Sequence, residues 1–144
     1  MVLTAISLIA VYAFSNIKKV DFEIDHADGI QFYKGSWEDA LKLAKKEDKL
    51  IFLDIYATWC GPCKKMKNST FSDSQVGAYF NTHFINVALD AEKAIGAELK
   101  NKFKLRSYPS LLILTNEGDI IHKTEGYRNS SQLLKVAEKY SIKN

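Results

Sequence analysis

A chain of 144 residues, 47% hydrophobic and 26% charged, has the length and balance of one soluble domain with a real core, which excludes a disordered or fibrous protein. Its formal net charge of +3 is too small to argue for a nucleic-acid partner, and basic runs such as KLAKKEDK are interspersed with acid, the pattern of a solvated helix face. Both cysteines lie in a single C-x-x-C, which leaves none for a structural disulfide framework and excludes a four-cysteine zinc site.

The first charged residue is Lys18, and the run VLTAISLIAVYAF (2–14) before it is almost wholly apolar. The run is shorter than the ~20 apolar residues of a spanning helix. It has the length of a signal-peptide core, with Ala13 and Ser15 spaced for cleavage after Ser15. No basic residue precedes it; Lys18 and Lys19 follow, which for an uncleaved anchor would favour keeping the downstream domain in the cytoplasm. Residues 1–19 are therefore expected to be a signal peptide or anchor of an exported, periplasmic or membrane-tethered protein. The alternative is a buried or interfacial helix or strand of a cytoplasmic one. Residues 20–144 form the domain, and DHADG (25–29) reads as a turn or the end of a linker.

The organised part is expected to begin near Ile30. Ser36 with Asp39 resembles a capping box, and Trp37, Ala40, Leu41 and Ala44 fall on one face, so a helix is predicted over 36–46. LIFLDIY (Leu50–Tyr56) is apolar at both parities, the pattern of a strand buried on both faces. The stretch after the cysteines is predicted helical with an interruption near Ser72, and FINVALD (Phe84–Asp90) is a second buried strand. Ile95, Leu99 and Phe103 share a face of a helix predicted over 91–104. SLLILT is a third strand, NEGD (116–119) a tight turn and IIHKTE its hairpin partner; Asn129 or Ser130 then caps a last helix carrying Leu133, Leu134, Val136 and Ala137. Helices alternating with buried strands predict a three-layer α/β sandwich around a mixed sheet.

The chemistry concentrates in ATWCGPCKKM. A thiolate, not a thiol, attacks a disulfide, so a redox cysteine needs a lowered pKa and access. Cys60 follows a buried strand and opens a helical stretch, where unpaired N–H groups favour an anion. Pro62 in the first turn removes no helical hydrogen bond and pre-sets the backbone. Cys63 lies one turn along the same helix; it can close a small disulfide ring with Cys60, point inward and act second. The competing readings are two buried apolar residues, or half of a metal site completed by two of the scattered His26, His83 and His122. Lys64, Lys65 and Lys67 are a solvated helix face in the first instance and a means of tuning the thiolate in the second. Asp54 interrupts an otherwise apolar strand, so its carboxyl is expected to be buried, with a raised pKa, and able to take the proton from Cys63. Otherwise it is a satisfied structural aspartate.

These residues resemble the thioredoxin superfamily from about Ile30 to Tyr140, with WCGPC identical to the thioredoxin active-site motif. The resemblance implies a thioredoxin fold and places Asp54 at the family's buried aspartate. RSYPSLLIL resembles the family's cis-proline loop, which implies that Pro109 is cis and beside the dithiol, and that Tyr108 and Pro109 hold the substrate backbone. Gly126 in TEGYR matches a glycine near the same groove, and Trp59, Gly61 and Pro62 complete the implied substrate-facing set. The stretches 36–60 and 70–90 are more similar to the thioredoxin-like domains of exported thiol:disulfide interchange proteins than to small cytosolic thioredoxins. Tyr56 stands where the latter often have tryptophan, and Asn86 where they have a lysine near the buried aspartate. The expected activity is disulfide reduction on protein substrates, by a monomer without bound cofactor or metal. An upstream thiol protein would supply the electrons, since no G-x-G-x-x-G is present for a dinucleotide. The competing function is a peptide-binding module or holdase with incidental redox activity.

Overall fold

The structure, a computed structural model, describes residues 28–141. The apolar run 2–14, the boundary expected at residue 19 and the first residues of the 25–29 turn lie outside the described residues. Four strands, β1 (Leu50–Tyr56), β2 (Phe84–Asp90), β3 (Ser110–Leu114) and β4 (Ile120–Glu125), form one sheet in the order β2-β1-β3-β4. β1 runs parallel to β2 and antiparallel to β3, and β4 returns antiparallel beside β3, so the sheet is mixed as expected. The helices are α1 (Trp37–Glu47), α2 (Gly61–Lys65), α3 (Ser74–His83), α4 (Ala94–Lys102) and α5 (Ser130–Ser141); a π-helical turn, Met66–Thr70, continues α2.

The alternation of side chains along β1 divides the interior in two. Ile51, Leu53 and Ile55 pack with Trp37, Ala40 and Ala44 of α1 and Leu99 of α4. Leu50 and Phe52 point the other way, into a cluster with Met66, Phe71, Phe80 and Leu133 beneath the π turn, α3 and α5. Asp54 shares the parity of Leu50 and Phe52, so its carboxylate lies on the side of the sheet where the chain returns after the cysteines. In register it stands between Ala88 of β2 and Leu111 of β3.

Ser36 caps α1 by accepting the Asp39 N–H at 3.1 Å, and the interruption expected near Ser72 is where the chain leaves the π turn before Asp73 caps α3. Asn129 caps α5 reciprocally: its Oδ1 accepts the Gln132 N–H, and Gln132 Oε1 accepts the Asn129 N–H. The helix expected over 91–104 is shorter than its pattern. The Asp90 carboxylate accepts the Glu92 N–H at 2.9 Å and its carbonyl the Lys93 N–H at 3.1 Å, so 91–93 form a turn and α4 starts at Ala94.

Candidate functional site

β1 delivers the chain to one end of the sheet, and a turn closed by the Cys60 N–H on the Ala57 carbonyl (3.1 Å) leads into α2. Cys60 is the N-cap of α2, with an extended backbone, and its Sγ accepts the Cys63 N–H at 3.2 Å. A cap residue normally offers an oxygen to these first N–H groups; here sulfur takes that place, which favours negative charge on it. Cys60 and Cys63 are joined in a disulfide, with Cα atoms 5.3 Å apart across one helical turn. Both are covered, at 4% and 8% exposure, by Ala57, Tyr56 and Tyr108, so the oxidised pair is less accessible at Cys60 than the sequence suggests. A Cβ on Gly61 would meet no atom within 4 Å, and Gly61 and Pro62 form an exposed spacer over the ring.

Asp54 is buried, at 5% exposure, and its Oδ1 has no hydrogen-bond partner. Burial in the sheet raises its carboxyl from an ordinary 3.8 to about 7. A cavity of about 450 Å³ joins it to the dithiol: Asp54, Tyr56, Cys63, Lys34, Lys64 and Lys67 all contribute to its wall. Asn86 is occupied elsewhere, with Nδ2 donating to Asn81 Oδ1 at 3.2 Å and to the Gln31 carbonyl at 3.4 Å.

The Tyr108–Pro109 peptide bond is cis. The Pro109 carbonyl accepts the Gly126 N–H at 2.8 Å, and Gly126 holds φ 88°, a conformation that favours glycine, so the two loops are pinned together. Tyr108 stands edge-on to Trp59 at 5.9 Å between ring centroids. Trp59 is 65% exposed, and its indole N–H donates to Glu92 Oε1 at 2.9 Å.

The structure thus gathers Cys60, Cys63, Asp54, Trp59, Tyr108 and the Gly61–Pro62 spacer at one end of the sheet, with Pro109 and Gly126 tied behind Tyr108. His83 and His122 are placed differently, stacked on Tyr79 and Tyr140. Among the described residues no group of three or more His, Cys, Asp or Glu could hold a metal ion. Glu92 and Lys34 also belong to this end of the sheet, and no sequence signal marks them: each sits in an irregular segment whose direction is set by other residues.

A family model described as a thioredoxin-like domain matches residues 37–141. Among solved structures, a candidate disulphide-isomerase from Bacteroides thetaiotaomicron is 41% identical with a TM-score of 0.72, covering 83% of this chain and 98% of that one. A thioredoxin from Thermus thermophilus superposes with a TM-score of 0.71 over 80% of this chain and 89% of that chain; at 19% identity it speaks for the fold alone. By sequence, thiol:disulfide interchange protein DsbD of Yersinia pestis is 33% identical over 95 residues, 64% of this chain. Thioredoxin-1 of Drosophila yakuba is 36% identical over 75 residues, 52% of this chain. The chain spans 65% of the length of that thioredoxin and 16% of the interchange protein. A dithiol capping the helix after a buried central strand, a cis-proline loop against it and a match over most of the chain agree: the protein belongs to the thioredoxin-like domain family.

Proposed function

We propose that this protein is a thiol:disulfide oxidoreductase that reduces disulfides in protein substrates. The observation that carries the reading is the Cys60–Cys63 disulfide, closed across one helical turn with the Cys60 sulfur in the capping position. In the reduced form the same position favours a Cys60 thiolate. That thiolate attacks one sulfur of the substrate disulfide, forming a Cys60–substrate bond and expelling the other sulfur as a thiolate. Cys63 then gives its proton to the ionised Asp54, and its sulfur attacks Cys60. The Cys60–substrate bond breaks, the substrate leaves with its second sulfur reduced, and the dithiol has supplied two electrons. Asp54, Trp59, Tyr108, Pro109 and Gly126 take part as base and as walls of the groove; their support is their placement around the pair. An upstream thiol protein restores the dithiol. Placement outside the cytoplasm is supported by the apolar run 2–14; among the described residues no helix is long and apolar enough to cross a membrane.

The test is trapping. With Cys63→Ser the second step cannot occur, so client proteins are expected to accumulate as Cys60-linked adducts that dithiothreitol releases. Cys60→Ser should trap none. Equal recovery of clients by wild type and by a variant with serine at both positions would replace this reading with a peptide-binding module.

A further inference from the structure

The groove beside the dithiol is walled by two loops joined by a hydrogen bond, the Gly126 N–H on the Pro109 carbonyl at 2.8 Å. A tyrosine adjoins each side of that joint, Tyr108 before Pro109 and Tyr127 after Gly126. Each carries a lysine over its ring. Lys65, at the end of α2, stands 4.5 Å from the Tyr127 centroid, and Lys100, from α4, stands 5.6 Å from that of Tyr108. The two lysines reach the groove from opposite faces of the sheet, since Met66 beside Lys65 packs in one apolar cluster and Leu99 beside Lys100 in the other. The Thr70 hydroxyl donates to the Arg128 carbonyl at 2.7 Å, which holds the π turn after Lys65 against the loop that carries Gly126 and Tyr127.

A lysine laid over an aromatic face keeps its charge while its stem loses freedom, so the ammonium is presented at a set place. Among the described residues neither ammonium is in an ion pair with an acid. Glu92 and Glu125, which also belong to this end of the sheet, serve the protein's own donors. Glu92 takes the Trp59 indole N–H at 2.9 Å, and Glu125 takes the Ser107 hydroxyl at 2.8 Å. The groove is thus left with a held positive charge on each side, and Lys64, exposed on α2, adds to one of them.

Building on the oxidoreductase reading, we infer that Lys65 and Lys100 are specificity-determining residues that select client disulfides whose cysteine is flanked by acidic side chains. A client segment lying along the two loops brings one flank toward each ammonium, so a carboxylate on either side meets a cation already in place. A basic flank meets like charge at the same two points and is turned away. Neither lysine is buried, so the gain lies in the rate of encounter and fades as salt screens it.

The test uses three peptides, each a dimer linked by one disulfide, with glutamate, glutamine or lysine on both sides of the cysteine. They are mixed with excess reduced protein, and release of peptide thiol is timed after acid quenching. Dividing each rate by that with dithiothreitol removes the peptides' own differences in reactivity. At low salt, wild type should reduce the glutamate peptide about tenfold faster than the glutamine peptide, and the lysine peptide slowest. Raising salt from about 0.02 to about 1 M should bring the three rates together. The double variant Lys65→Gln, Lys100→Gln should lose most of the preference at low salt, and arginine at both positions should restore it, because a guanidinium keeps both the charge and the stacking. Rates independent of peptide charge overturn the inference, as does a preference that survives the double variant in full. Should the double variant fail to fold, the two single variants decide by the same comparison. Reduction of none of the peptides by wild type would instead overturn the oxidoreductase reading, so the two failures are told apart.

Discussion

Burial of Asp54 couples acidity to stability. In the unfolded chain this carboxyl ionises near 3.8, in the fold near 7, so between these values the native state keeps a proton that the unfolded state has lost. The unfolded state therefore gains relative stability as pH rises through that window, and above it the cost is constant, on the order of a few kcal/mol. Asp54→Asn should accordingly be more stable than wild type at pH 8, with an advantage that shrinks to little at pH 4; urea unfolding midpoints across that range measure it. A pH-independent difference would mean that the carboxyl titrates normally in the fold. Asp54 was legible in the sequence because an acid in an apolar strand has few explanations. Lys34 was not, since its approach to the same cavity depends on how the segment before α1 runs beside β2, where the Tyr33 N–H meets the Asn86 carbonyl.

At the level of elements, the caps at Ser36 and Asn129 were legible, because a side chain that satisfies its own helix needs no distant partner, whereas the cap of α3 lay hidden behind the interruption near Ser72. Asp73 accepts the Gln75 and Val76 N–H groups at 2.8 and 3.2 Å, and the Ser130 hydroxyl, with these backbone donors, holds its carboxyl below the ordinary range. Asp73→Ala should destabilise the fold by about 1 kcal/mol. Because the native carboxyl is the stronger acid, that contribution is present above the unfolded pKa and fades as pH falls through the native one. A chemical denaturation series at pH 7 and pH 2 checks both statements. The start of α4 was not legible from periodicity. Ile95, Leu99 and Phe103 describe a face, but the Asp90 side chain draws Glu92 into a turn, and that turn also brings the Glu92 carboxylate to the Trp59 indole. Local capture of a backbone N–H by an aspartate outweighed a helical pattern that had no N-terminal cap of its own.

Across the whole molecule, stability rests on two apolar clusters, one on each side of the sheet. Phe80 is fully covered in one of them, edge-on to Phe52 at 4.8 Å and beside Phe84 at 5.1 Å. Phe80→Ala should cost about 3–5 kcal/mol and lower the melting temperature while leaving the midpoint of a glutathione redox titration of the dithiol in place. A shift of that midpoint together with stability would show that the cluster and the disulfide are coupled. The layer order was legible because both parities of β1 and β2 are apolar, which requires helices on both faces. The order of strands was not, because pairing partners are chosen by packing between segments far apart in the chain.

The disulfide itself belongs to neither cluster. Cys60, Cys63 and Ala57 form a small group of their own, lidded by Tyr56 and Tyr108, and the spacer above it faces open space. What keeps the protein folded and what forms the disulfide are thus largely different residues, with Asp54 the exception that serves the chemistry at a cost in stability. Gly61, with open space where a Cβ would stand, can accept a side chain without touching either cluster, so substitutions there separate the redox behaviour of the pair from the stability of the fold.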